Sequence, residues 1–341
     1  MKNEILRREG GRGRVLPLLL TLLVGLGGRV CAESSGHLHL VQTIALPEVE
    51  ARIDHMTIDL AGKRLFVAAL GNGSLEILDL SKGSLIRSIR ELHEPQGVLY
   101  LPERQRILVT NGGDGTCRAF DSNSFQPLST LKFSGDADNI RHDRRNKRIY
   151  VGYGRGALGI VDPEDDKIEG EVKLPGHPES FQLEERGGRI FINVPTACRV
   201  VVVDREKRHI LSSWRLGTKM MNFPMALDEA NHRLFVGCRL PANILVFDTE
   251  SGSIVAKQGI SKDVDDLFYD ATRKRIYASC GEGFVDVIEQ ADPDRYKPMA
   301  RVPTAVGART SLFVPEQDRL YLAVPHRGGQ QAELRVYAVE R

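Results

Sequence analysis

The chain has 341 residues, 41% apolar and 27% charged, with 33 Gly, 16 Pro and a single Trp, a composition that fits a folded globular protein and excludes wholesale disorder and collagen-like structure. Lys plus Arg number 47 against 45 Asp plus Glu, but the first 32 residues hold six of those bases and two of those acids, leaving 41 against 43 for the rest. A body with no basic surplus argues against general nucleic-acid binding.

The chain opens with a basic head, Lys2, Arg7, Arg8, Arg12 and Arg14, followed by an apolar run from Val15 to Leu26 and the small-residue ending Val30-Cys31-Ala32. This pattern reads as a secretory signal peptide over residues 1–32, cleaved before Glu33. The run is shorter than the roughly 20 residues a spanning helix requires, so no transmembrane anchor is expected in the mature protein. The expected location is periplasmic or secreted. Four cysteines then remain, Cys117, Cys198, Cys238 and Cys280, without C-x-x-C spacing. They read as small buried hydrophobes rather than disulfide partners. Cys117 and Cys198 are placed in third strands, and Cys238 and Cys280 in second strands, of separate repeats.

From His37 onward the chain reads as strands. HLHLVQTIAL comes first, and then a marker of Arg, two aliphatic or aromatic residues and a small apolar residue recurs seven times: RLFVA at Arg64, RILVT at Arg106, RIYVG at Arg148, RIFIN at Arg189, RLFVG at Arg233, RIYAS at Arg275 and RLYLA at Arg319. Successive spacings are 42, 42, 41, 44, 42 and 44 residues. In five repeats a further strand ends in Asp some 13 or 14 residues after the marker's aliphatic residue: Asp79, Asp121, Asp162, Asp204 and Asp248. Each repeat holds four β-like runs bounded by Gly, Asn and Asp, as in HMTIDL, RLFVAAL, SLEILDL and LIRSI of the first. Four strands per repeat of this length predict a β-propeller blade. The seventh repeat stops after its third strand, ELRVYAV, and HLHLVQTIAL is expected to supply the fourth. The prediction is an all-β, seven-bladed propeller forming a single domain over residues 33–341, its last blade closed by the N-terminal strand.

RIYVGYG and RLFVGCR, each followed by a strand ending in Asp, resemble the YVTN-type repeat of YncE-like seven-bladed propellers. The resemblance implies the fold and leaves the activity open, because such propellers include binding proteins, lyases and lactonases. With Trp214 the only tryptophan, the docking repeats of eight-bladed quinone-dependent dehydrogenases are absent.

In a propeller the first strand of each blade lines the central channel. Counting back eleven residues from the aliphatic residue of each marker gives Asp54, Gln96, Asp138, Glu179, Phe223, Asp265 and Arg309. Equivalent positions in a ring should surround one mouth, and their neighbours Asn139, Arg141, His177, Asn222, Arg239 and Asp266 extend the ligand-binding set. The carboxylates and amides are hard oxygen donors suited to Ca²⁺ or Mg²⁺. His55 or His177 would favour a transition metal instead, or would serve as a general acid or base beside a carboxylate. Arg141, Arg239 and Arg309 are suited to clamp an anion. No nucleophile elbow and no phosphate loop precede a helix. The leading expectation is an exported binder of a small polar or anionic ligand, with a divalent cation as its candidate cofactor. The alternatives are a lactonase- or lyase-type enzyme with His177 and His55 as acid–base groups, or a platform for a protein partner.

Overall fold

The structure, a computed structural model, describes residues 37–217 and 220–340. Its strands assemble into seven four-stranded antiparallel sheets. Blade 1 runs Met56–Asp59, Arg64–Ala69, Ser74–Asp79 and Ser84–Ile89, and the next five blades repeat this order along the chain. The seventh sheet orders Ser311–Val314, Arg319–Val324 and Glu333–Val339, with the N-terminal strand Leu38–Ala45 outermost. That strand pairs antiparallel with Glu333–Val339, Leu38 opposite Val339 and Ala45 opposite Glu333. The ring therefore closes as the sequence predicts. No helix among the described residues is long and apolar enough to cross a membrane. The expected signal peptide, Cys31 included, lies outside the described residues.

The recurring marker has a packing cause. Successive side chains of a strand point to opposite faces, and each blade is covered by a neighbour on both. In the first blade Leu65 and Val67 pack with Ile44, Leu334 and Val336 of the closing blade. The intervening Phe66 and Ala68 pack with Ile107 and Val109 of blade 2. A strand buried on both faces must be apolar throughout, which is the pattern RLFVA. Seven such hydrophobic clusters, one between each neighbouring pair of blades, make up the core. The aspartates ending the third strands organise the next turn: Asp204 Oδ1 accepts the Glu206 and Lys207 N–H groups at 3.0 and 2.8 Å, and Asp248 repeats this with Glu250 and Ser251.

The four described cysteines are free thiols, with Cys117, Cys238 and Cys280 buried. Cys117 lies in the third strand of blade 2, and Cys238 and Cys280 in second strands. Cys198 differs from the expectation. It caps the short 3-10 turn Pro195–Ala197 at φ +50, one residue ahead of the strand Arg199–Asp204.

Candidate functional site

The loops leading into the first strands gather at one end of the channel around a cavity of about 140 Å³, lined by Asp54, Gln96, Asp138, Glu179, Phe223 and Asp265 among others. These are six of the seven positions obtained by counting back from the markers. The seventh, Arg309, is not in the lining; its guanidinium bonds both Asp263 oxygens at 2.9 and 2.8 Å and forms an ion pair with Asp265 Oδ2 at 2.9 Å. A β-bulge falls on the counted position in four blades, between Pro95 and Val98, Ala137 and Ile140, Asn222 and Met225, and Val264 and Asp266. A bulge re-aims side chains out of the strict in–out alternation. It accounts for Asp138 and Asn139, adjacent in sequence, both lining the cavity.

His55, His177 and Arg239 also line the cavity, as does Asp136. The remaining expected residues have other positions. Asp266 stands behind His55, one oxygen 3.6 Å from its Nδ1 and the other accepting the Ser311 N–H at 2.7 Å. Asn222 is fully buried and turned away, its Nδ2 donating to Asn193 Oδ1 and the Arg199 carbonyl of blade 4, so its role is to join two blades. Arg141 lies three residues beyond Asp138 along the same strand, bonded to its neighbour's carbonyl with its guanidinium 5.7 Å from the Phe181 ring centre, and does not line the cavity. Arg52 was not among the expected residues. It reaches in from the loop before Asp54 and meets Asp54 Oδ2 at 2.8 Å. It stands two residues ahead of the counted Asp54, the register at which Asp136 and His177, also in the lining, precede Asp138 and Glu179.

The charges divide the cavity in two. On one side Arg239 bonds Asp265 and the Val264 carbonyl while lying over the Phe223 ring, 4.0 Å from its centre. Arg309 and Arg52 stand beside the same aspartate, the latter at 3.9 Å. On the other side are Asp136, Asp138, His177 and Glu179, where no arginine forms an ion pair among the described residues. Burial, and then the Asp138, Asp265 and Asp54 carboxylates, push the Glu179 pKa upward. His177 is also raised, because its carboxylate neighbours and the Gly154 carbonyl outweigh the effect of its burial. Burial lifts Asp54 to about 6, against the pull of His55 and Arg52. For His55, burial opposes the charge, but Asp266 and Asp54 overcome it and raise the pKa to about 10.

The seven blades, the closing N-terminal strand and the repeat marker define a YncE-like seven-bladed β-propeller. YncE of Salmonella typhi is 25% identical to this chain over 198 residues, 56% of the chain and 55% of the relative. YncE of Escherichia coli O157:H7 is 25% identical over 134 residues, 38% of each. The chain thus spans about half the length of the curated relatives it matches, and those relatives are themselves described as uncharacterized. No family profile matches the chain.

Proposed function

We propose that this YncE-like propeller is an exported binding protein that holds a small polar or anionic ligand, together with a divalent cation, at the mouth of its central channel. The observation that carries the reading is the convergence of five carboxylates, two histidines and two arginines on one small cavity. Charges withdrawn from water require partners, and the arginines answer only one side of this set. His55 favours binding over a general-base role. His55, its pKa raised to about 10 between Asp54 and Asp266, is an imidazolium at neutral pH and has no lone pair with which to take a proton. Most of the large exposed apolar side chains lie on the outermost strands, several as adjacent pairs such as Leu40 and Val41, Leu85 and Ile86, and Ile254 and Val255.

Export rests on the basic head, apolar run and Val30-Cys31-Ala32 ending; the mature protein should begin at Glu33 by mass spectrometry, and an intact leader on cytoplasmic protein would overturn that part. Binding is tested by native mass spectrometry of protein purified from the export compartment without chelator, with calorimetric titration of Ca²⁺, Mg²⁺ and Zn²⁺ beside it. A bound species on the wild type, lost in Glu179→Ala with the melting transition unchanged or higher, supports the reading. A wild type that carries nothing and binds none of the three cations refutes it.

A further inference from the structure

We infer that Asp138, His177 and Glu179 form a three-ligand site for a transition-metal ion of the Zn²⁺ class, with its fourth coordination position open to the cavity. This rests on the cation half of the function proposed above and specifies its ligands and its metal class.

One donor atom from each of the three residues lies within 4.8 Å of the other two. His177 Nε2 stands 3.6 Å from Asp138 Oδ2 and 3.7 Å from Asp136 Oδ2. Those separations are too long for good hydrogen bonds. They match another geometry more closely: tetrahedral donors at bonds of about 2.0–2.1 Å stand roughly 3.3 Å apart. A contraction of a few tenths of an ångström brings His177 and Asp138 onto a shared ion.

The imidazole is already held as a metal ligand would be. His177 Nδ1–H donates to the Gly154 carbonyl at 2.6 Å, which leaves Nε2 facing the carboxylates, where a bound metal ion would displace its proton. A backbone or carboxylate acceptor on the second ring nitrogen is the usual support of a metal-binding histidine. Gly154 itself sits at φ +61, in the left-handed region that glycine adopts without steric cost.

A separate observation points to a bound group in the same place. Asn139, 2% exposed, lines the cavity with its Nδ2 donating to Asp138 Oδ1 at 3.3 Å, while its buried Oδ1 has no hydrogen-bond partner. A buried acceptor left without a donor costs about 1–3 kcal/mol, and a metal-bound water or ligand hydroxyl in the cavity would remove that cost. The charge agrees, because Arg52, Arg239 and Arg309 pair with Asp54, Asp263 and Asp265, leaving Asp138 and Glu179 with no arginine at ion-pair distance among the described residues, Arg52 and Arg141 acting from farther off. The donor set selects the metal. Ca²⁺ and Mg²⁺ favour oxygen-only ligands, whereas an imidazole with carboxylates suits Zn²⁺ and its neighbours. Three protein ligands leave a position for the polar ligand, in a cavity whose arginines would face its anionic group.

The test uses the leaderless full chain, stripped with chelator and dialysed. Zn²⁺ affinity is measured against a chromophoric competitor, and Co²⁺ loading by its visible absorption, in wild type, His177→Ala and Glu179→Gln. One Zn²⁺ per chain, with affinity weakened at least about tenfold in each variant, is expected. X-ray absorption at the zinc edge of the loaded wild type depends on no variant folding, and should show one imidazole among oxygen donors. Zn²⁺ bound equally well by His177→Ala, or a zinc shell with sulfur or several imidazoles, overturns the site. If Ca²⁺ or Mg²⁺ binds and Zn²⁺ does not, or if only an organic ligand binds the stripped protein, the transition-metal site fails while the proposed function stands. Binding of neither cation nor ligand defeats both.

Discussion

Replacing His55 by Gln isolates the imidazolium at the channel mouth. His55 is 20% exposed and faces Asp54 Oδ1 and Asp266 Oδ1, each at 3.6 Å, with Asn139 Nδ2 at 3.5 Å. Burial works against its charge, yet those carboxylates, with Asp138 beyond them, lift its pKa from 6.5 to about 10. A histidine whose folded pKa lies above its unfolded value contributes stability that is complete below the unfolded pKa and lost as pH rises through the folded one. The window here runs from pH 6.5 to about 10. Asp54 titrates lower: burial lifts it from 3.8 to about 6, so the stability its protonated form contributes is already lost by neutral pH. One proton of linkage is worth about 1.4 kcal/mol per pH unit, so the His55 contribution should fall by roughly 2–3 kcal/mol between pH 7 and pH 9. Urea unfolding, followed by fluorescence of Trp214 where it stacks on Phe247, measures both proteins at each pH. Subtracting the two profiles cancels the thiols and tyrosines common to both. His55→Gln should be the less stable protein at pH 7, with the gap closing by roughly 2 kcal/mol by pH 9. A gap that stays constant across this range would refute an imidazolium held between Asp54 and Asp266.

Other consequences are independent of that site. Ile44, 1% exposed in the closing strand, should cost about 2–5 kcal/mol as Ile44→Ala, whereas Val41→Ala, 53% exposed in the same strand, should change stability by less than about 0.5 kcal/mol; equal effects in urea unfolding would contradict the closure. Asp248→Ala removes the acceptor of the Glu250 and Ser251 N–H groups and the partner of Arg233. It should lower stability by about 1–2 kcal/mol with Zn²⁺ and ligand binding unchanged, and a loss of binding would show that the turn and the mouth are not separate. Thiol titration of the leaderless chain in urea without reductant should return all four cysteines as free groups. A return of two would mean a disulfide has formed.

The fold was legible because its determinant repeats. Leu65 and Phe66 face different neighbouring blades, so each second strand is apolar throughout and the marker recurs wherever a blade does. The mouth was legible by the same register, since residues eleven positions ahead of each marker residue fall at the same height in the ring. What register could not supply is the direction of the adjacent side chains. Asn139 lines the cavity because a bulge interrupts its strand, while Asn222, next to the counted Phe223, turns into the joint with blade 4. The two lie on opposite sides of their counted positions, and the alternation of an ideal strand does not distinguish their outcomes. Arg52 was legible by the same register, two residues ahead of Asp54 as Asp136 and His177 are of Asp138 and Glu179, but the count back from the markers takes in only the counted position and some of its neighbours.

A sevenfold scaffold produces a one-sided site because the counted position is free to vary. The cores lie between blades, in clusters to which Asp54, Gln96, Asp138, Glu179, Asp265 and Arg309 contribute nothing. Those six residues are therefore released from the packing that holds the marker constant. Placing Asp265 beside Arg239 and Arg309 neutralises the arc made by blades 5 to 7, with Arg52 reaching the same aspartate from blade 1. Placing Asp138 and Glu179 in blades 3 and 4 sets two further carboxyls opposite it, with His177 rather than an arginine at hand. Burial, and then crowding of this kind, holds the Glu179 pKa above its ordinary value and opposes folding with the group charged, a cost the seven apolar clusters tolerate. Local interactions set against stability on an otherwise consistent scaffold are characteristic of functional positions. Here they include Glu179 of blade 4 and Asp54 of blade 1, both held above the ordinary carboxylate range, so the cost falls on the mouth and not on the cores between blades.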